Sequence, residues 1–354
     1  MLTLLTVAGG LAVAATLPWP SIVVALGRAL RVHVVASLLF ELVVAVLVRQ
    51  PFCPVYYACD ADVPDAFYWS RDLLFEGGRI QGLQGNANIL AVLALLALVV
   101  TGCQAAARTV GRPTAAVGVV ASVAALLLTR SATVGAVAVA VAVVLVVALL
   151  VRRAPVGRQG RVTALALGAA VVLAAAVVAL RGPLLALAGR SPDLTGRLDI
   201  WAAVTDLARQ RPVLGWGWVS YWIPGVEPFE GLADRNGVQY LQAHDAYLDV
   251  WFQLGVVGLV AFALVLVGLV LRSWWWATDR RMLGTGHEDA RDALDLLPLL
   301  LTTLLLVHGL AESRLIVEWG AALLVVLVVV TRRDQLGWNE HDRPVADART
   351  RAAA

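Results

Sequence analysis

The chain has no lysine. All 28 residues counted as Lys or Arg are Arg. Charged residues of either sign make up only 15% of the 354 residues, and hydrophobic ones make up 60%. A soluble domain carries roughly 25% charged and 45–50% apolar residues, so an ordinary soluble fold is excluded. The net charge of +3 then reports membrane topology, and nucleic acid is not an expected partner. Cysteine is scarce. Cys53, Cys59 and Cys103 form no CxxC pair and have no nearby His, which excludes the common zinc and thioredoxin-type motifs. Cys53 and Cys59 are six positions apart, close enough for a bridge in an oxidising compartment. Spacing alone leaves a bridge and two free thiols equally open. The first apolar run lacks a basic segment before it, so it does not read as a cleavable signal peptide.

What is there in abundance is long runs of Ala, Val and Leu. A helix needs about 20 apolar residues to cross a hydrocarbon core of roughly 30 Å. Nine runs qualify or nearly do: 2–17, 32–48, 87–107, 113–129, 132–151, 162–180, 253–271, 294–311 and 315–331. None alternates with period two, so helices are expected and barrel strands are not. The expected fold is an all-α polytopic transmembrane helix bundle over 1–333. A polar Asp- and Arg-rich tail over 334–354 is expected to be disordered. Arg28, Arg31, Arg108, Arg112, Arg152, Arg153, Arg272, Arg332 and Arg333 fall in alternate loops or at the C-terminal end. The positive-inside rule places those segments in the cytoplasm. The segments 49–86 and 181–252 are then extracytoplasmic. Nine spans with an internal C-terminus put the N-terminus outside, which fits a miscounted span or a longer natural N-terminal part.

The long 181–252 segment carries most of the candidate chemistry. Residues 194–211 read as an amphipathic helix, with Leu198, Trp201, Val204 and Leu207 on one face and Arg197 among its polar residues. It is expected to lie along the outer membrane interface. Pro212 ends it. His244 opens the next helix, with Tyr247, Leu248 and Trp251 on its face. Arg130 stands between two apolar runs with almost no loop around it, a costly position unless it faces a cavity or a partner. Arg79 precedes the third run, and Glu312 and Arg314 lie between the last two. Taken singly, each of these is an interfacial charge that snorkels to the headgroups. Several converging on one side point to a site. Glu41 is the main acid inside an apolar run.

These residues also carry a resemblance. TGRLDIW, PVLGWGW and HDAYLDVWFQLGVVG resemble segments of the O-antigen ligase and O-antigen polymerase superfamily. Its histidine motif is His, then Asn, Ser or Gln, nine residues, Gly, two residues, and Gly, Thr or Tyr. Here His244, Gly255 and Gly258 keep the spacing, and Asp245 departs from it at the second position. LTRSAT resembles the family's short Ser-Arg segment and places its arginine at Arg130. Arg197 matches the arginine before an Ile-Trp pair, and RIQGLQGNANILA resembles an earlier Gly/Asn segment. The resemblance covers roughly 75–335.

The resemblance implies a membrane glycosyltransferase without cofactor or metal. It would move a glycan from undecaprenyl pyrophosphate to a glycan or lipid acceptor hydroxyl at the outer face of the plasma membrane. The implied catalytic residues are His244, Arg197 and Arg130. Implied substrate-binding positions are Arg79, Asp245, Tyr247, Trp201, Glu312 and Arg314. Guanidinium groups suit a departing pyrophosphate because they stay charged and bind two oxygens at once. Histidine can take the acceptor proton at neutral pH. Two other readings remain open at this level: a flippase or transporter of an anionic lipid-linked sugar, and transfer of an oligosaccharide to protein.

Overall fold

The computed structural model describes residues 2–54, 63–155, 157–179, 197–235, 238–278 and 292–335. Ten α-helices account for most of it. They are α1 (Leu2–Thr16), α2 (Trp19–Val43), α3 (Ala87–Ala106), α4 (Arg112–Thr129), α5 (Ala132–Arg153), α6 (Gln159–Ala179), α7 (Arg197–Gln210), α8 (Ala246–Thr278), α9 (Leu297–Gly309) and α10 (Glu318–Gln335). A π-helical turn, Val44–Val48, extends α2. Two two-residue strands, β1 (Asp234–Arg235) and β2 (Val238–Gln239), form an antiparallel pair in the loop before α8.

All nine apolar runs of the sequence are helical. Among the described residues, five helices are long and apolar enough to cross a membrane: α2 with its extension, α3, α4, α5 and α8. The protein is a helical membrane protein. The expected count of nine crossings is not confirmed: α1 and the segment Ala293–Gly309 are shorter apolar helices, and α6 and α10 are not among the five. The tail expected to be disordered begins inside α10 and lies, from 336 onward, outside the described residues.

Local chemistry sets the helix ends. Asn86 caps α3, its side-chain oxygen accepting from the N–H groups of Asn88 and Ile89 at 2.9 and 3.2 Å. Ser131 caps α5 through the Val134 N–H. Proline stands in the first turn of α2, α4 and α9, where its missing N–H is harmless. The centre of the bundle is α3. Its Leu90, Ala91, Ala94, Leu96, Ala97 and Val100 are fully enclosed, and it packs on α2, α4, α5 and α9. Alanine at these positions lets neighbouring backbones approach, the usual device for packing helices in lipid. Val120, Leu127, Val139, Val146, Leu264 and Val267 point outward, as a lipid-facing surface requires.

Glu41 has a structural explanation. It is buried in α2, where Ser70 Oγ and the backbone N–H groups of Gln81 and Gly82 donate to its carboxylate at 2.7, 2.8 and 2.6 Å. It fastens the loop that leads into α3.

A second, smaller core lies beside the bundle. Ile200, Val204 and Ala208 of α7 pack with Trp222, Phe229, Ala233, Ala243 and Phe252. This corrects the expectation of a helix lying along the interface. The buried stripe of α7 runs through 200, 204 and 208, and Leu198 is exposed. Its apolar face is covered by the chain's own loop and by the start of α8.

Candidate active site

The loop Pro212–Gly217 and α8 interlock. Gly255 interrupts α8 with φ 64° and ψ −168°. That break frees carbonyls on one side and N–H groups on the other. Trp216 and Gly217 donate to the carbonyls of Phe252 and Gln253 at 3.0 and 2.8 Å, and Val256 and Val257 donate to Pro212 and Val213 at 2.8 and 3.2 Å. A Cβ on Gly255 would stand 2.2 Å from the Val213 carbonyl oxygen, and one on Gly215 would stand 2.5 Å from that of Gln253. Both positions also have positive φ, so they need glycine twice over. PVLGWGW and the glycine of the histidine motif are therefore two halves of one backbone joint.

His244 stands just before the first turn of α8. Asp245 caps the helix, its Oδ1 accepting from the N–H groups of Tyr247 and Leu248 at 2.9 and 3.0 Å. Asp249, fully buried one turn on, accepts from Trp222 Nε1 and the Ala243 N–H, both at 3.0 Å, and from Ser313 Oγ. Trp201 Nε1 holds the Ala243 carbonyl at 2.9 Å. Ala243 is thus gripped at both its N–H and its carbonyl. His244 follows with φ 53°, a left-handed conformation uncommon outside glycine and often found at working sites. The residue stands before the helix and not on its face, contrary to the sequence expectation.

Glu312 joins the two resembling segments. It lies between α9 and α10, 8% exposed. One carboxylate oxygen meets His244 Nδ1 at 2.9 Å, and the other meets Arg197 Nη2 at 2.8 Å. Burial alone would raise the Glu312 pKa. The hydrogen bond from His244 and the neighbouring charges of His244 and Arg197 prevail and hold it below the usual carboxylate range. An ionised carboxylate only accepts hydrogen bonds, so His244 donates through Nδ1, which leaves Nε2 as the ring nitrogen not held by Glu312. Glu312 is therefore the residue that sets the histidine tautomer and holds Arg197. Each of its oxygens is engaged by one of these two partners.

A cavity of about 210 Å³ opens at this cluster. Arg197, His244, Glu312 and Arg314 line it together with Asn86, Asn88 and Tyr240. Gln242, His308, Ile89 and Ile200 complete the wall. The Tyr240 ring meets the His244 ring edge-on at 5.1 Å. Arg314 also donates to Tyr221 Oη at 2.7 Å and to Glu318, and Tyr221 in turn donates to Glu318 at 2.7 Å. Burial raises the Tyr221 pKa, so its hydroxyl stays protonated.

The other expected residues divide. Arg79 stands one layer behind the cavity, donating to Asn88 Oδ1 at 2.7 Å and to the Thr129 carbonyl at 2.9 Å. Ser131 donates to the same Asn88 oxygen at 2.9 Å. Between Thr129 and Ser131, Arg130 ends α4 in the left-handed region, exposed beside Gly77 and outside the cavity wall. Its exposure removes the burial cost that the sequence pointed to. Trp201, Asp245 and Tyr247 are also not in the wall. Trp201 and Asp245 place His244, and Tyr247 donates to the Leu306 carbonyl at 2.9 Å, tying α8 to α9.

Sequence reasoning missed Asn86, Asn88, Tyr240, Gln242 and His308. Two carried a signal. Asn86 precedes an apolar run in the manner of a helix cap. His308 is an ionisable residue inside an apolar helix, by default a functional position.

Residues 117–263 match the family described as O-antigen ligase. Over that span the chain is similar to this family. The matched span runs from α4 to mid-α8 and contains Arg130, Arg197 and His244. A 90-residue segment is also 28% identical to the exopolysaccharide production protein ExoQ of Rhizobium meliloti (strain 1021). That segment covers 24% of this chain and 20% of the relative. No solved structure matches the chain. The matched span stops short of Glu312 and Arg314, which the sequence had offered, and of His308, which enters the site from the structure alone.

Proposed function

We propose that the protein transfers a glycan from undecaprenyl pyrophosphate to an acceptor hydroxyl at the extracytoplasmic membrane face. The match of residues 117–263 to an O-antigen ligase family supports the reaction class. The observation that carries the chemistry is the bridge Arg197–Glu312–His244 at the edge of a polar cavity. It is a base oriented by a carboxylate beside a cation, the arrangement needed to activate a hydroxyl and receive a leaving anion.

In this reading the acceptor hydroxyl gives its proton to His244 Nε2, and its oxygen bonds to the anomeric carbon of the donor sugar. The bond from that carbon to the pyrophosphate oxygen breaks, and undecaprenyl pyrophosphate leaves with the electron pair. Glu312 stabilises the imidazolium that forms. Arg197 and Arg314 stabilise the growing charge on the phosphates. Arg79 holds Asn88 in the wall, and exposed Arg130 meets the pyrophosphate where it enters from the bilayer. None of these steps calls on a metal, since the cations that the phosphates need are guanidinium groups.

The test is product formation per folded molecule in nanodiscs, with lipid-linked glycan as donor and a chelator present. His244→Ala should reduce turnover by about 10²–10⁴-fold, the usual scale of a general base, while donor binding persists. Arg197→Lys should fail too, because Lys lacks the fork that grips two oxygens. Wild-type turnover in His244→Ala would overturn the assignment. Activity that needs a divalent ion would overturn the metal-free mechanism.

A further inference from the structure

Two polar atoms in the cavity wall have no partner. His308 Nε2, on α9, and Gln242 Oε1, on the strand-linked loop before α8, are both buried without a hydrogen bond among the described residues. His308 as a whole is 2% exposed. Both residues line the cavity that holds His244 and Glu312. Buried polar atoms are nearly always paired, and leaving one unpaired is costly. Two on one wall, from distant parts of the chain, call for a ligand that pairs with both.

The chemistry narrows that ligand. Phosphate oxygens at neutral pH only accept, so they cannot satisfy an amide oxygen. An apolar group would leave both atoms unpaired. A hydroxyl both donates and accepts. The cavity has the liquid volume of about seven waters, enough for one sugar ring and not for an oligosaccharide. Resting on the glycosyl-transfer reading above, we infer that Gln242 and His308 form a carbohydrate subsite that holds one ring through its hydroxyls, in the cavity that His244, Arg197 and Arg314 also line. The ring belongs either to the donor glycan or to the acceptor.

The experiment compares wild type, Gln242→Leu and His308→Phe in nanodiscs by direct binding. Three probes are used: lipid-linked glycan extracted from the source cells, undecaprenyl pyrophosphate without sugar, and the same glycan released from its lipid. Each substitution should weaken glycan binding about tenfold or more, the scale of one or two buried hydrogen bonds. Binding of bare undecaprenyl pyrophosphate should stay within about twofold. Loss confined to the lipid-linked probe assigns the ring to the donor, and loss with the released glycan assigns it to the acceptor. Unchanged glycan binding, or equal loss for the sugar-free lipid, overturns the subsite. Wild-type protein that binds the bare lipid but shows no transfer overturns the proposed reaction and not the subsite. Thermal melting guards against misfolding. Because both atoms are orphans, their removal should not lower the melting temperature, and His308→Gln, which restores a donor and an acceptor, should recover part of the glycan affinity.

Discussion

At the scale of single residues, Glu312 decides more than any other side chain. It is buried, ionised and shared between His244 and Arg197. Glu312→Gln keeps the volume but removes the charge, and an amide can present an N–H where His244 needs an acceptor. Turnover should fall about 10²–10⁴-fold, the scale seen when a histidine loses its orienting carboxylate. Stability should fall by about 3 kcal/mol, because Arg197 is left half-buried without its counter-ion. The sign of the pH effect follows from the lowered pKa of Glu312. A carboxylate bound more tightly as the anion in the fold stabilises fully above its ordinary value of about 4.5. That contribution disappears as pH falls through the lower folded value. Acid melting curves should show wild type losing this increment below about pH 4.5, with Glu312→Gln insensitive there. Parallel curves would mean that Glu312 is not held as the anion. Asp245 gives the opposite case. Burial raises its pKa, so its ionisation opposes folding as pH rises, yet its oxygen caps α8. Asp245→Asn keeps the cap and drops the charge, and should melt at or above the wild-type temperature at pH 7. Asp245→Ala should lose about 1 kcal/mol. Turnover in Asp245→Asn should stay near wild type, since the residue supports the helix and does not line the cavity.

At the scale of elements, the joint between Pro212–Gly217 and the break in α8 is what converts two distant sequence segments into one site. Gly255→Ala adds a methyl group where the Val213 carbonyl already stands and imposes a strained φ. The Arg197 helix should detach from the His244 helix, with loss of monodisperse protein in size-exclusion chromatography. Protein of normal yield and activity would show that the joint is dispensable. This element also shows what the sequence made legible. The apolar runs announced every long helix, because twenty residues of Ala, Val and Leu have no other stable state in lipid. His244, Arg197 and Glu312 could each be picked out, but not that Glu312 bridges the other two. Glu312 comes from a connection 68 positions past His244, and only the packing of α9 against α8 brings it there. Periodicity also misjudged α7, whose apolar stripe implied lipid when its partner was a second core built from Trp222 and Phe252. Asp245 looked like a substrate contact by its place in a motif. Its geometry explains the motif differently: Asn, Ser and Asp share the ability to cap a helix.

At the scale of the whole molecule, the site elements gather at one end of the bundle. The starts of α3, α5 and α8, the ends of α4 and α9, and all of α7 meet there. The opposite end carries Arg152, which reaches the Ala277 carbonyl at the end of α8 at 2.5 Å. Arg28 and Arg31 lie on the apolar groove between α2 and α4, near Thr109–Pro113 at the start of α4. The arginine-rich loops and the cavity thus occupy opposite ends, as the positive-inside rule requires if the cavity faces outward. Cys53 adds an independent mark. It is disulfide-bonded, while Cys103 is free and buried. Cys59, the partner the sequence offered, lies outside the described residues. A persistent disulfide belongs in an oxidising compartment, and Cys53 lies in the segment that leads to the cavity end of α3. Both arguments fit the outward-facing cavity proposed above. A reporter fused after Arg153 should be active only as a cytoplasmic reporter, and one inserted at Gly231 only as an extracytoplasmic one. Thiol labelling of intact cells should leave Cys53 unmodified until a reductant is added, and then modify it with a membrane-impermeant reagent. If Gly231 reports as cytoplasmic, the cavity opens to the wrong side for a donor presented at the outer face, and the transfer reaction proposed above falls with it.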